Sequence, residues 1–121
     1  MSISAIPMLL GMFRDERRYS KKLTDKALAA INEAVVATRQ YEAKRKKRRK
    51  RDLKEEARIA GLWSTAAIAT RHVSTEFAMR LNDKSLYWFK GFHWSQDQVI
   101  ARKIDWDSIH DQITELMSVN S

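Results

Sequence analysis

Three glycines and one proline are all that interrupt a chain of 121 residues. All-β folds turn often and need many such residues, so this scarcity argues for a helical protein. Hydrophobic residues make up 44% of the chain and charged residues 31%, which is enough apolar material for one folded core. The length fits one domain of ordinary size.

Apolar spacing supports the same conclusion. Ala27, Ile31, Ala34, Thr38 and Tyr41 recur at alternating steps of four and three, the period of one helix face. Thr24 stands where an N-cap belongs, with Leu23 and Leu28 as a hydrophobic staple around it. The seam is rich in Ala, so a neighbouring helix can approach closely. A second stripe follows at Ile59, Leu62, Trp63, Ala66, Ala69, Thr70 and Val73. Ser74 with Glu76 offers a restart, so that 74–82 is either a continuation or a short helix of its own.

Between the two stripes lies a run of eight cations: Lys44, Arg45, Lys46, Lys47, Arg48, Arg49, Lys50 and Arg51. Lys and Arg suit the C-terminal end of a helix, where the dipole is negative. Asp52 then reads as an N-cap, with Glu55 in the capping-box position and Glu56 exposed beside it. The chain is expected to turn here. One unbroken helix through the run is the competing geometry, since no Gly or Pro forbids it.

The expected fold is therefore all-α. An antiparallel helical hairpin, about 24–50 and 52–82, packs against two or three shorter C-terminal helices. Ser95 with Gln98 forms a capping box for one of these, with Trp94 and Val99 as its staple. Asp105 opens the last, with Ile104 and Ile109 as staple and Trp106, Ile109, Ile113 and Leu116 on one face. Residues 1–22 are read as an N-terminal arm, partly helical or flexible, with its regularity broken by Pro7 and Gly11. Residues 23–121 are read as a single helical domain with an exposed basic connection at 44–51.

Charge is concentrated rather than spread. The net charge is +8, yet residues 1–60 carry 17 basic and 8 acidic side chains while residues 61–121 carry 6 and 7. Like charges so crowded repel unless an anionic partner or water screens them. The partner expected for 44–51 is nucleic acid, held by its phosphates without base specificity. A solvated helix tip, kept polar for solubility, is the plainer alternative. The run also has the composition of a nuclear-import signal, which ranks below binding.

The apolar segment with Met8, Leu9, Leu10 and Phe13 fits packing on the core or on a partner chain. Together with the Ala-rich seam it supports a rival reading, a helical interaction module or adaptor whose partner is another protein chain or a second copy in a homodimer. Attachment to a membrane surface, by this segment plus the cationic run, is a weaker third. Tyr87, Trp88, Phe89, Phe92 and Trp94 crowd five aromatics into eight residues around Lys90. Core or partner contact is preferred to base stacking, with Trp88 and Trp94 the first choices for core.

No catalytic residue is assigned, and the chain is not read as an enzyme. Gly11, Gly61 and Gly91 stand too far apart to cradle a phosphate. His72, His93 and His110 lack ligand spacing, so no metal and no cofactor are expected. The absence of Cys excludes disulfides and thiolate sites and fits a cytoplasmic protein. No apolar run approaches the ~18 residues that a membrane span requires. The N-terminus lacks the basic region of a signal peptide. Gln96, Gln98, Arg102 and Lys103 offer base-reading side chains, but a helix-turn-helix geometry is not implied by them.

Overall fold

With no Gly or Pro between Phe13 and Arg48, nothing in the backbone stops the first helix once it has started. The computed structural model describes the backbone of residues 6–48, 50–90 and 94–119, with side chains over the same stretches from residue 21 to residue 118. Its helices are α1 (Ile6–Arg48), α2 (Leu53–Thr70), α3 (Thr75–Lys90), α4 (Gln96–Ala101) and α5 (Trp106–Val119). No strand occurs among the described residues.

The start of α1 corrects one expectation. The helix begins at Ile6, not near Thr24, and Thr24 is a buried residue inside it. Pro7 does not prevent this, because the first-turn amides have no helical acceptor to lose. Gly11 weakens a helix by ~1 kcal/mol but does not break it. The side chains of Met8, Leu9, Leu10 and Phe13 lie outside the described residues.

The hairpin itself is present. α1 leads through a short connection into α2, which packs back along it. The expected α1 stripe is buried as written: Ala27, Ile31, Ala34, Thr38 and Tyr41 are at most 4% exposed. On α2, Ile59, Trp63, Ala66 and Thr70 face them and are fully enclosed. The Trp63 indole N–H donates to Thr38 Oγ1 (2.9 Å), and that hydroxyl donates to the Ala34 carbonyl (2.7 Å). A polar ring edge and a hydroxyl are thus both satisfied in an apolar seam. This seam is filled within the chain, so it is not the free docking face that the interaction-module reading assigned to it.

The second limb is not one helix over 52–82. It stops at Thr70, whose carbonyl accepts from both Val73 and Ser74 amides. Ser74 Oγ then accepts from the Phe77 amide (3.1 Å), and α3 starts afresh. The restart at Ser74 wins because its hydroxyl offers the backbone a cap in place of a continued helix. α3 returns antiparallel to α2, with Ser85 Oγ donating to the Ala60 carbonyl (2.7 Å). Phe77 and Leu81 are fully enclosed; burying each such side chain contributes roughly 1.5–3 kcal/mol.

Both C-terminal caps are as expected. Ser95 and Gln98 complete a reciprocal capping box, and Asp105 Oδ2 accepts from the Ser108 amide (3.2 Å). Ile104 and Ile109 are both fully buried. α5 lays Trp106, Ile109, Ile113 and Leu116 against the core, with the Trp106 ring 6.3 Å from that of Trp63.

Candidate functional site

The cationic run occupies the hairpin tip, divided between two structural states. Lys44 to Arg48 form the last turns of α1, where their charge opposes the negative end of the helix dipole. Lys50 and Arg51 belong to the non-helical connection, and Arg49 lies outside the described residues. Asp52 ends the connection as the N-cap of α2, accepting from the Glu55 amide (3.1 Å). The other half of the expected capping box is not formed. Glu55 instead pairs with Arg58 (2.7 Å), one turn along the exposed side of α2.

Glu56 overturns its sequence reading. It was expected to be exposed and is 2% exposed. Three partners make this tolerable. Arg51 donates through Nη2 to Oε1 (2.6 Å) and through Nε to Oε2 (3.1 Å), and the Tyr41 hydroxyl donates to Oε2. The Tyr41 oxygen in turn accepts from the Asp52 amide (2.9 Å). Burial pushes the Glu56 carboxyl upward, but the bonds from Arg51 and Tyr41 outweigh it and the net shift is downward. Tyr41 moves the other way: burial, then the bond to Glu56, raises its hydroxyl. Glu56 could have been suspected from sequence, since it precedes Ile59 and Trp63 at helix spacing on the buried face.

The rest of the run faces water. Lys44, Lys46, Lys47, Arg48 and Lys50 are exposed, and Arg45 is half-buried. None of these six forms an ion pair with a described residue. The tip is also concave: Lys44, Arg45, Arg48, Lys50 and Arg51 share a cavity of about 440 Å³ with Tyr41, Asp52, Leu53 and Glu55.

Of the aromatic segment only Trp88 is buried among the described residues, and Tyr87 and Trp94 are half-buried. Trp88 is 5% exposed and packs edge-on against Tyr41 (5.7 Å) and Tyr87 (6.0 Å), beneath the tip. Trp94 is half-buried, with its face covered by the Arg102 guanidinium at 4.2 Å. Phe89 is 68% exposed, while Phe92 lies outside the described residues.

Lys84 is a buried charge that sequence reading missed. It is 6% exposed; its Nζ donates to the Ile104 carbonyl (2.9 Å) and lies 4.6 Å from the centre of the Trp106 ring. Burial pulls its pKa down to about 8, against the pull of Glu42 and Asp105. Its signal was positional: Phe77, Leu81, Lys84 and Trp88 share one helix face.

His72 and His110 are exposed, and His93 lies outside the described residues. Among the described residues no three of His, Asp or Glu gather to hold a metal ion, and no helix is long and apolar enough to cross a membrane. No protein-family model matches the sequence, and comparison with curated proteins and with solved structures returned no match.

Proposed function

We propose that this chain binds nucleic acid through its phosphates, without reading base sequence, at the cationic tip of the α1–α2 hairpin. The observation that carries the reading is the set of Lys44, Lys46, Lys47, Arg48 and Lys50. All five are exposed at one end of the hairpin, and none forms an ion pair with a described residue. Arg51 plays a different part, since its guanidinium braces the connection against Glu56. The role proposed is that of a non-catalytic accessory protein, and a chain without Cys is compatible with a cytoplasmic setting. If about four phosphates are neutralised, affinity falls roughly a hundredfold between 50 and 200 mM salt. A gel-shift series measures this for the wild type and for a variant with Lys44, Lys46, Lys47, Arg48 and Lys50 changed to Gln. The variant should lose both the affinity and the salt slope; equal binding by both proteins removes the tip from consideration.

A second reading, a protein-interaction module, draws on a different surface. Ile68 (58% exposed) and Met79 (67% exposed) flank a groove between α2 and α3 that includes Ala67 and Ala78. Sedimentation velocity on the free protein addresses self-association there. A strict monomer, unchanged by Met79→Glu, argues against it.

A further inference from the structure

The cavity at the tip separates the cations into two sets. Lys46 and Lys47 are outside it, whereas Lys44, Arg45, Arg48 and Lys50 are on its wall. Two of the other charges on the wall are already committed, Arg51 to Glu56 and Glu55 to Arg58. Among the described residues, four cations then oppose one carboxylate, Asp52, a surplus of three positive charges around about 440 Å³. The Arg45 Nε is enclosed and has no hydrogen-bond partner among the described atoms. An anion in the cavity would give the Arg45 guanidinium the charge partner that it lacks among the described residues.

A strand that merely crosses the tip places singly charged diesters against the outer lysines. A half-enclosed cavity favours a group that ends inside it. A phosphomonoester ends there, and it carries about −1.5 to −2 at neutral pH. The geometry points to this cavity as the seat of a terminal phosphate of a nucleic-acid strand. Arg45 and Arg48 supply forked donors to its oxygens, and Lys44 and Lys50 act as point charges. The inference rests on the nucleic-acid reading above and adds a preference for phosphorylated ends.

Fluorescence anisotropy tests it with one oligonucleotide in three forms: 5′-phosphorylated, 3′-phosphorylated, and hydroxyl at both ends. At about 150 mM salt, where outer contacts are screened, at least one phosphorylated form should bind about tenfold more tightly than the hydroxyl form. Inorganic phosphate at millimolar concentration should erase that preference and leave binding of the hydroxyl form in place. The double variant Arg45→Gln/Arg48→Gln should lose the preference, as should Lys50→Gln, which lies outside any helix. Lys46→Gln/Lys47→Gln should weaken all three forms alike and keep it. Equal binding of the three forms by the wild type overturns the end preference and leaves phosphate binding at the tip standing. A preference that survives both Arg45→Gln/Arg48→Gln and Lys50→Gln overturns the assignment to this cavity. Failure to bind any form overturns the nucleic-acid reading and this inference together.

Discussion

Arg51 closes the hairpin tip onto Glu56 with both edges of its guanidinium, Nη2 lying 2.6 Å from Oε1 and Nε 3.1 Å from Oε2. The last cation of the run is therefore a structural strut. With the Tyr41 hydroxyl on the same carboxylate and the Asp52 amide on that hydroxyl, α1, the connection and α2 are tied at one point. The remaining cations are displayed from this brace. Lys50 shares the braced connection, while Lys44 to Arg48 stand on the end of α1 that leads into it.

Glu56→Gln keeps the side-chain volume and removes the charge. Loss of its hydrogen bonds should cost about 1–2 kcal/mol at pH 7, kept modest because the freed Arg51 is already half in water. The folded carboxyl titrates below its ordinary range, so its contribution is complete above that range. It disappears as pH falls through the folded value. Urea midpoints should therefore show a gap between wild type and variant at neutral pH that closes in acid. A gap of constant size from pH 7 to pH 3 would contradict this account.

Lys84 makes a prediction of opposite sign. Burial is the main cause of its shift from 10.5 to about 8; Glu42 and Asp105 pull upward and Arg39 downward. A cation depressed on folding binds more protons when unfolded, so stability rises with pH between those two values. The Trp106 face favours the charged amine and trims the effect. From pH 7.5 to pH 10 the wild type should gain about 1–2 kcal/mol relative to Lys84→Met. Denaturant titrations of both proteins across that window measure it, and parallel curves would show that Lys84 does not titrate there.

Lys103 holds a backbone angle that suits glycine. Its φ is 57°, in the left-handed region. There it ends α4, with its amide bonded to the Ile100 carbonyl (2.9 Å) and that of Ile104 to Val99 (3.3 Å). A side chain in this conformation costs about 1 kcal/mol relative to Gly. Lys103→Gly should raise the thermal midpoint by a few degrees. A lowered midpoint would mean that the lysine side chain makes a compensating contact.

The helices were legible because their signals are local. The stripe from Ala27 to Tyr41, the caps at Asp52, Ser95 and Asp105, and the burial of Ile104 with Ile109 each follow from spacings of three to five residues. Errors came where a local signal had a local competitor. Thr24 resembles an N-cap, yet the residues before it are equally able to be helical, and the helix runs through. Ser74 admits either role by its sequence, and its hydroxyl caps a new helix after α2 has stopped at Thr70.

The sequence by itself determined that the chain is helical, which faces of its helices are apolar, and that its positive charge is gathered between two of them. Tertiary structure alone decided what each charge does. Glu56 is buried because Tyr41, fifteen residues away, and Arg51 meet it there. Lys84 is enclosed with its ammonium donating a hydrogen bond to the Ile104 carbonyl, twenty residues on, and Arg45 and Arg48 line a cavity that Lys50, Arg51, Asp52 and Leu53 complete. A helix period depends on the chain's own geometry, whereas the cost of burying a charge depends on which distant groups arrive to receive it.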